Sequence, residues 1–295
     1  MRKILISLGM IVFVGGLVAG ATGAFFSDTE TSTGNTFAAG DIDLKIDNES
    51  YAIDYTIPGF VDPIGRLAAS TNTSWNLRDL TVEKFFDFAD LKPGDYGEDT
   101  ISIHVGSNDA WVCAEANITA DLDNDITEPE DEEFAPSNDN IDGTTDGDLD
   151  SELNFAFWVD DGDNVLEEDE VDDIFINGDL ASMGAQGQVA LADSDESILP
   201  NDGPIPGDST FYIAKAWCFG NLTSGAVTQD GLGKVGTPEN PNNTPNGPLV
   251  RGTGVDCDGS GTSNLAQTDS VVGDITFYAE QARNNGSFQC TSSAL

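Results

Sequence analysis

The chain has 295 residues, enough for one large domain or two small ones, and 39% of them are apolar, ample for a packed core. Eleven basic residues stand against 53 acidic ones, and the formal net charge of −42 argues against a nucleic-acid or anionic-lipid partner while attracting divalent cations. The 32 glycines and 12 prolines suit a loop-rich β protein better than a helical one.

The N-terminus reads as an export signal. Met1, Arg2 and Lys3 form a short positive region, Ile4 to Val18 is apolar apart from Ser7 and three glycines, and small residues run from Ala19 to Ala24. Cleavage is expected after Ala24, or alternatively after Ala21, leaving residues 25–295 as one domain outside the cell. The competing reading is an uncleaved anchor, since the segment from Ile4 to Phe26 is long enough to cross a bilayer. Contact with a membrane is expected only through this segment.

An arm from Phe25 to Phe37 follows. Phe25, Phe26 and Phe37 supply apolar side chains, and Thr29, Thr31, Thr33 and Thr36 favour an extended backbone. No proline interrupts it, so every N–H can join a β ladder. Such a strand can complete its own sheet or the open sheet edge of another copy.

Beyond the arm, period-2 alternation predicts strands. Ile42, Leu44 and Ile46 share one face, as do Ile101, Ile103 and Val105, and Val112, Ala114, Ala116 and Ile118. Leu153 to Val159 and Asp274 to Gln281 show the same pattern. Thr210 to Phe219 is apolar on both faces and reads as a central strand. Tyr51 to Ile57 and Val82 to Phe88 are further candidates. Pro93-Gly94 stands where a type II turn needs it. Short helices are expected around Ser74 to Leu80 and Leu166 to Ile174, and Asn124 to Asp150 and Gly225 to Gly261 read as surface insertions. The fold class expected is all-β: an antiparallel two-sheet jelly-roll sandwich with long acidic loops and a few short helices.

Cys113, Cys218, Cys257 and Cys290 form an even set, and export allows two disulfides with three possible connectivities. A Cys218–Cys257 bridge would tie down the Gly/Pro/Asn-rich segment between them and leave Cys113–Cys290. No spacing among them suggests zinc.

Carboxylates are the candidate metal ligands. Asp121, Asp123 and Asp125 alternate like the start of an EF-hand loop, but Ile126 stands where that loop needs glycine. Asp160, Asp161, Asp163, Asn164, Glu167 and Glu168 surround Gly162 at the end of a predicted strand. Hard oxygen donors in flexible loops suit Ca²⁺. The single histidine, His104, sits on the polar face of a strand, and neither H-E-x-x-H nor G-x-S-x-G occurs. Asn48, Asn72, Asn117, Asn221 and Asn285 head N-x-[ST] patterns.

Two stretches carry a resemblance. Residues 23–46, GAFFSDTETSTGNTFAAGDIDLKI, hold Ala24, Phe25, Asp28, Asn35, Thr36, Phe37, Ala39, Gly40, Ile42 and Leu44 in the order of the signal-to-mature junction of the TasA/camelysin family. The stretch FADLKPGDYGEDTISIHVGSNDAWVCAEANIT resembles that family's Leu-Lys-Pro-Gly-Asp turn and the strands after it. Together they cover about a fifth of the chain. The resemblance implies a jelly roll and export through a dedicated signal peptidase. It also implies fibres built by donor-strand exchange, with Phe25, Phe26, Thr29, Thr31, Thr33 and Phe37 as the donor residues. Because camelysin carries a peptidase label, it equally allows a secreted or cell-surface metallopeptidase. The leading expectation is a secreted subunit of an extracellular fibre or biofilm matrix, binding itself and other matrix proteins, without catalysis.

Overall fold

The segment that reads as apolar on both faces is β10 (Ser209–Phe219), and it lies inside a sheet between β5 (Tyr96–Val105) and β7 (Leu153–Asp160). On one face Phe211, Ile213 and Trp217 enter the core; on the other Ala214 and Ala216 lie beneath Trp158, Leu166 and Val255. The computed structural model describes residues 27–31, 42–54, 67–124, 127–130, 147–200, 202–234 and 246–290. The predicted signal segment lies outside them. Among the described residues no helix is long and apolar enough to cross a membrane.

Outward from β10, the seven-stranded sheet has the order β3-β2-β5-β10-β7-β8, with β4 also paired to β2. Its other members are β2 (Leu44–Ile53), β3 (Leu67–Ala69), β4 (Trp75–Arg78) and β8 (Ile174–Asp179). A four-stranded sheet runs β1-β13-β6-β9, from β1 (Ser27–Thr31), β13 (Ser270–Gln281), β6 (Ala110–Leu122) and β9 (Gln188–Ala192). A ribbon of β11 (Asn221–Ser224) and β12 (Val255–Asp258) completes the strands. The pairings are antiparallel throughout these sheets. The chain is therefore mostly β, as expected. Ile101 and Ile213 of the larger sheet share one apolar cluster with Val112, Leu191 and Phe277 of the smaller.

Both disulfides form, Cys113–Cys290 and Cys218–Cys257, with Cα–Cα separations of 5.8 and 5.6 Å. The type II turn is also present. Asp95 N–H donates to Lys92 O at 2.8 Å, and Gly94 has the positive φ (92°) that the third turn position requires.

Three local expectations are corrected. Ser74 to Leu80 is not a helix: Trp75–Arg78 forms β4, because the exposed edge of β2 offers backbone partners that a one-turn helix cannot match. Val82 to Phe88 is not a strand. Consecutive Phe85 and Phe86 both pack toward the core, Phe85 against Trp75 and Phe277 and Phe86 against Phe155, which period-2 alternation forbids. Leu166 to Ile174 holds only a 3-10 turn at Val171–Asp173, since the acidic loop uses its carboxylates to bind its own N–H groups.

Candidate metal centre

β7 ends at Asp160 on the outer face of the seven-stranded sheet, and the chain then folds back over that face. Gly162 takes φ 106° and Asn164 φ 66°, so the turn is tight. Asp160 Oδ2 accepts from Gly162 N at 2.8 Å and from Thr100 Oγ1 at 3.0 Å. Asn164 Oδ1 accepts from Thr100 N at 2.8 Å, locking the loop to β5. Glu170 returns to the turn, accepting from Asp161 N and Glu167 N at 3.0 Å each.

These bonds hold six carboxylates in overlapping groups. Oxygens of Asp160, Asp161 and Asp163 lie within 4.8 Å of one another, as do those of Asp161, Glu167 and Glu170, and those of Asp163, Glu167 and Asp230. Arg251 enters from one side. Its Nη1 is 2.9 Å from Asp163 Oδ2, 2.5 Å from Glu167 Oε1 and 3.4 Å from Asp230 Oδ2, and its Nη2 donates to Thr228 O at 2.6 Å. One guanidinium against six carboxylates leaves a strongly negative centre.

The protonation preferences record that repulsion. Burial, then the neighbouring carboxylates, push Asp163 up to about 9 despite Arg251. Burial, then Asp160, raises Glu170 to about 8. Burial, then Asp161, raises Asp160 to about 7, and burial, then Glu167 and Asp230, raises Asp161 to about 6. Beneath them on β5 lies Glu98, fully buried and raised well above the ordinary range by burial first, then by Asp160 and Asp99. Asp160 Oδ1, Asp161 Oδ1, Glu167 Oε2 and both Glu98 oxygens are buried without a hydrogen-bond partner. Buried acceptors left unpaired are costly, and a hard cation would satisfy several at once.

Asp160, Asp161, Asp163 and Glu167 are thus brought together as the sequence suggested. Glu168 is exposed and outside the groups, and Glu170 takes part instead. Glu98, Asp230 and Arg251 escaped notice because they come from remote segments with no local spacing. The segment 225–261 is correspondingly more than an insertion: Asn246 donates to Asp163 Oδ2 at 3.3 Å, Arg251 pairs with the centre, and Val255 packs on Trp158. The EF-hand-like trio fares differently. Asp123 groups with Glu130 and Asp269, not with Asp121, and Asp125 lies outside the described residues. Burial, then the backbone N–H of Asp148 acting in the opposite sense, leaves Asp269 at about 7.

His104 bonds Asp47 Oδ2 through Nε2 at 2.9 Å and Thr210 Oγ1 through Nδ1 at 2.8 Å, and no group of candidate ligands among the described residues includes it. The centre's donors are all carboxylates, a set that fits calcium better than the nitrogen- and sulfur-rich shells of zinc.

Of the arm, β1 pairs antiparallel with β13 of the same chain, placing Thr29 opposite Tyr278 and Thr31 opposite Thr276. Phe25, Phe26, Thr33 and Phe37 lie outside the described residues.

Residues 2–105 match the family model described as camelysin metallo-endopeptidase. Over that segment, just over a third of the chain, the expected TasA/camelysin resemblance holds. No curated protein and no solved structure matches the chain. The camelysin match takes in the arm and β1 to β5, but of the carboxylate centre only Glu98 and Thr100; Asp160 to Glu170, Asp230 and Arg251 fall beyond it.

Proposed function

We propose that the protein is a secreted structural subunit of an extracellular fibre or matrix, joined to further copies by exchange of its N-terminal arm and stabilised by calcium. The observation carrying this reading is the position of β1. It follows the predicted signal segment, forms the edge of the four-stranded sheet, and among the described residues has β13 as its one strand partner. Residues 32–43 separate it from β2, long enough for the strand to leave and pair with β13 of a neighbour. Exchange replaces each β1–β13 hydrogen bond by an identical one, so the backbone term cancels. Concentration, burial of the three arm phenylalanines, and repulsion between subunits that, without Arg2 and Lys3, carry 9 basic against 53 acidic residues (net −44) then set the balance.

The strand order supports the finer fold reading. Taking β1, β5, β6, β7, β8, β9, β10 and β13 as strands one to eight, the two sheets run 1-8-3-6 and 2-7-4-5. That is the order of a jelly roll built from two Greek keys, with β1 as its first strand. Removing β1 would uncover β13 from Thr276 to Glu280.

The family description favours a second reading, a secreted or surface-held metallopeptidase. Electron microscopy of the protein beginning at Phe25 separates the two. Filaments that vanish when residues 25–37 are deleted support the fibre subunit; chelator-sensitive casein cleavage without filaments supports the peptidase.

A further inference from the structure

Lys215 is the anomaly of the core. It lies on the inward face of β10, in line with Ile213 and Trp217, and has no exposed surface. A lysine is almost never fully buried without a chemical reason. Its Nζ is 2.9 Å from Oδ1 of Asp99, the residue directly opposite on β5, and sits 3.4 Å from the centroid of the Phe86 ring with Phe85 at 5.7 Å. Asn48, on the inward face of β2, lies close enough to Asp99 to favour its ionised form. Asn48 is fully buried as well, and its Nδ2 donates to Thr73 O at 2.7 Å. Asn48 Oδ1 and Asp99 Oδ2 are buried with no hydrogen-bond partner. An amine, a carboxyl group and a carboxamide from three neighbouring strands thus converge in a buried pocket beside two phenylalanines, with the carboxyl paired to the amine and next to the carboxamide.

We propose that Lys215 and Asn48 become joined by a self-catalysed isopeptide bond, with Asp99 carrying the protons. The neutral Lys215 amine attacks Cγ of Asn48 while protonated Asp99 hydrogen-bonds Oδ1. Asp99 accepts a proton from Nζ and delivers one to Nδ2, the Cγ–Nδ2 bond breaks, and ammonia leaves. An amine and a primary amide give a secondary amide and ammonia, with no oxidant, cofactor or other reactant. Burial favours both reactive forms, since it lowers Lys215 despite the pull of Asp99 and raises Asp99 to about 6 despite Lys215 and Asn48. Asp99 is the proton carrier and not the acylated partner because Glu98 and Thr100 beside it face the opposite side of the sheet, and among the described residues the inward faces of β2, β5 and β10 hold no second carboxyl group to serve it. The bond would staple β2 to β10 across β5.

The test is the intact mass of the purified protein after disulfide reduction, followed by proteolytic mapping. The expected mass is lower than that of the unmodified chain by one ammonia. The map should contain one branched peptide joining Lys215 to Asn48, with trypsin failing to cut after Lys215. Lys215→Met and Asp99→Asn should restore the full mass; should either fail to fold, the wild-type mass and peptide map still decide. An unmodified mass, a loss of water from a Lys215–Asp99 amide, or a loss of ammonia without the branched peptide overturns the proposal.

Discussion

Calcium binding at the Asp160–Glu170 centre should be tightly linked to protons. With folded-state values of about 9 for Asp163, 8 for Glu170 and 7 for Asp160, the centre holds protons at neutral pH that a cation must displace. Counting only the proton of Asp163, affinity falls about tenfold per pH unit, or about 100-fold from pH 8 to pH 6. The cation-free protein should respond in the opposite sense. These groups have folded values raised above the unfolded value near 4, so the folded state holds more protons, and stability is lost as pH rises from about 4 toward 9. One proton held only by the folded state costs about 2.7 kcal/mol between pH 6 and 8. Calcium at a hundred times its Kd returns about 2.7 kcal/mol, a rise of several degrees in Tm. Calorimetry in two buffers of different ionisation enthalpy, at pH 6 and pH 8, reads affinity and proton release together. Binding of equal affinity at both pH values with no protons released would refute the reasoning.

Other perturbations give distinct outcomes. Arg251→Met should destabilise the calcium-free protein by about 3–5 kcal/mol, because it leaves buried carboxylates uncompensated, and calcium should recover more stability than in the wild type by thermal melting. Gly97→Ala would put a Cβ 2.5 Å from Trp217 Nε1 and 2.6 Å from Tyr51 O, and should cost about 1–3 kcal/mol in denaturant titration. Replacing Cys218 and Cys257 by serine reopens a loop of sequence separation 39 and should cost up to about 4 kcal/mol; an unchanged unfolding midpoint would contradict this. Fibre growth from the protein beginning at Phe25 should quicken with salt or calcium by light scattering, since the Debye length shortens to about 3 Å at 1 M salt, and a rate indifferent to both would remove the electrostatic brake. Glycan mapping should find Asn48 unmodified, since it is fully buried, whereas the exposed Asn72, Asn117 and Asn221 remain open to modification.

The sequence by itself determined the β class, most long strands, the Pro93–Gly94 turn and the loop from Asp160 to Glu167, because alternation, turn chemistry and local charge spacing are short-range signals. Tertiary structure alone decided that Trp75 pairs as a strand, that Phe85 and Phe86 both turn inward, and that Glu98, Asp230 and Arg251 join the acidic centre. It also decided that Lys215, Asp99 and Asn48 meet. Lys215 reads in sequence as one cation in an apolar strand; its chemistry arises only when β2, β5 and β10 align in register, and register is set by long-range pairing and burial that no local window contains.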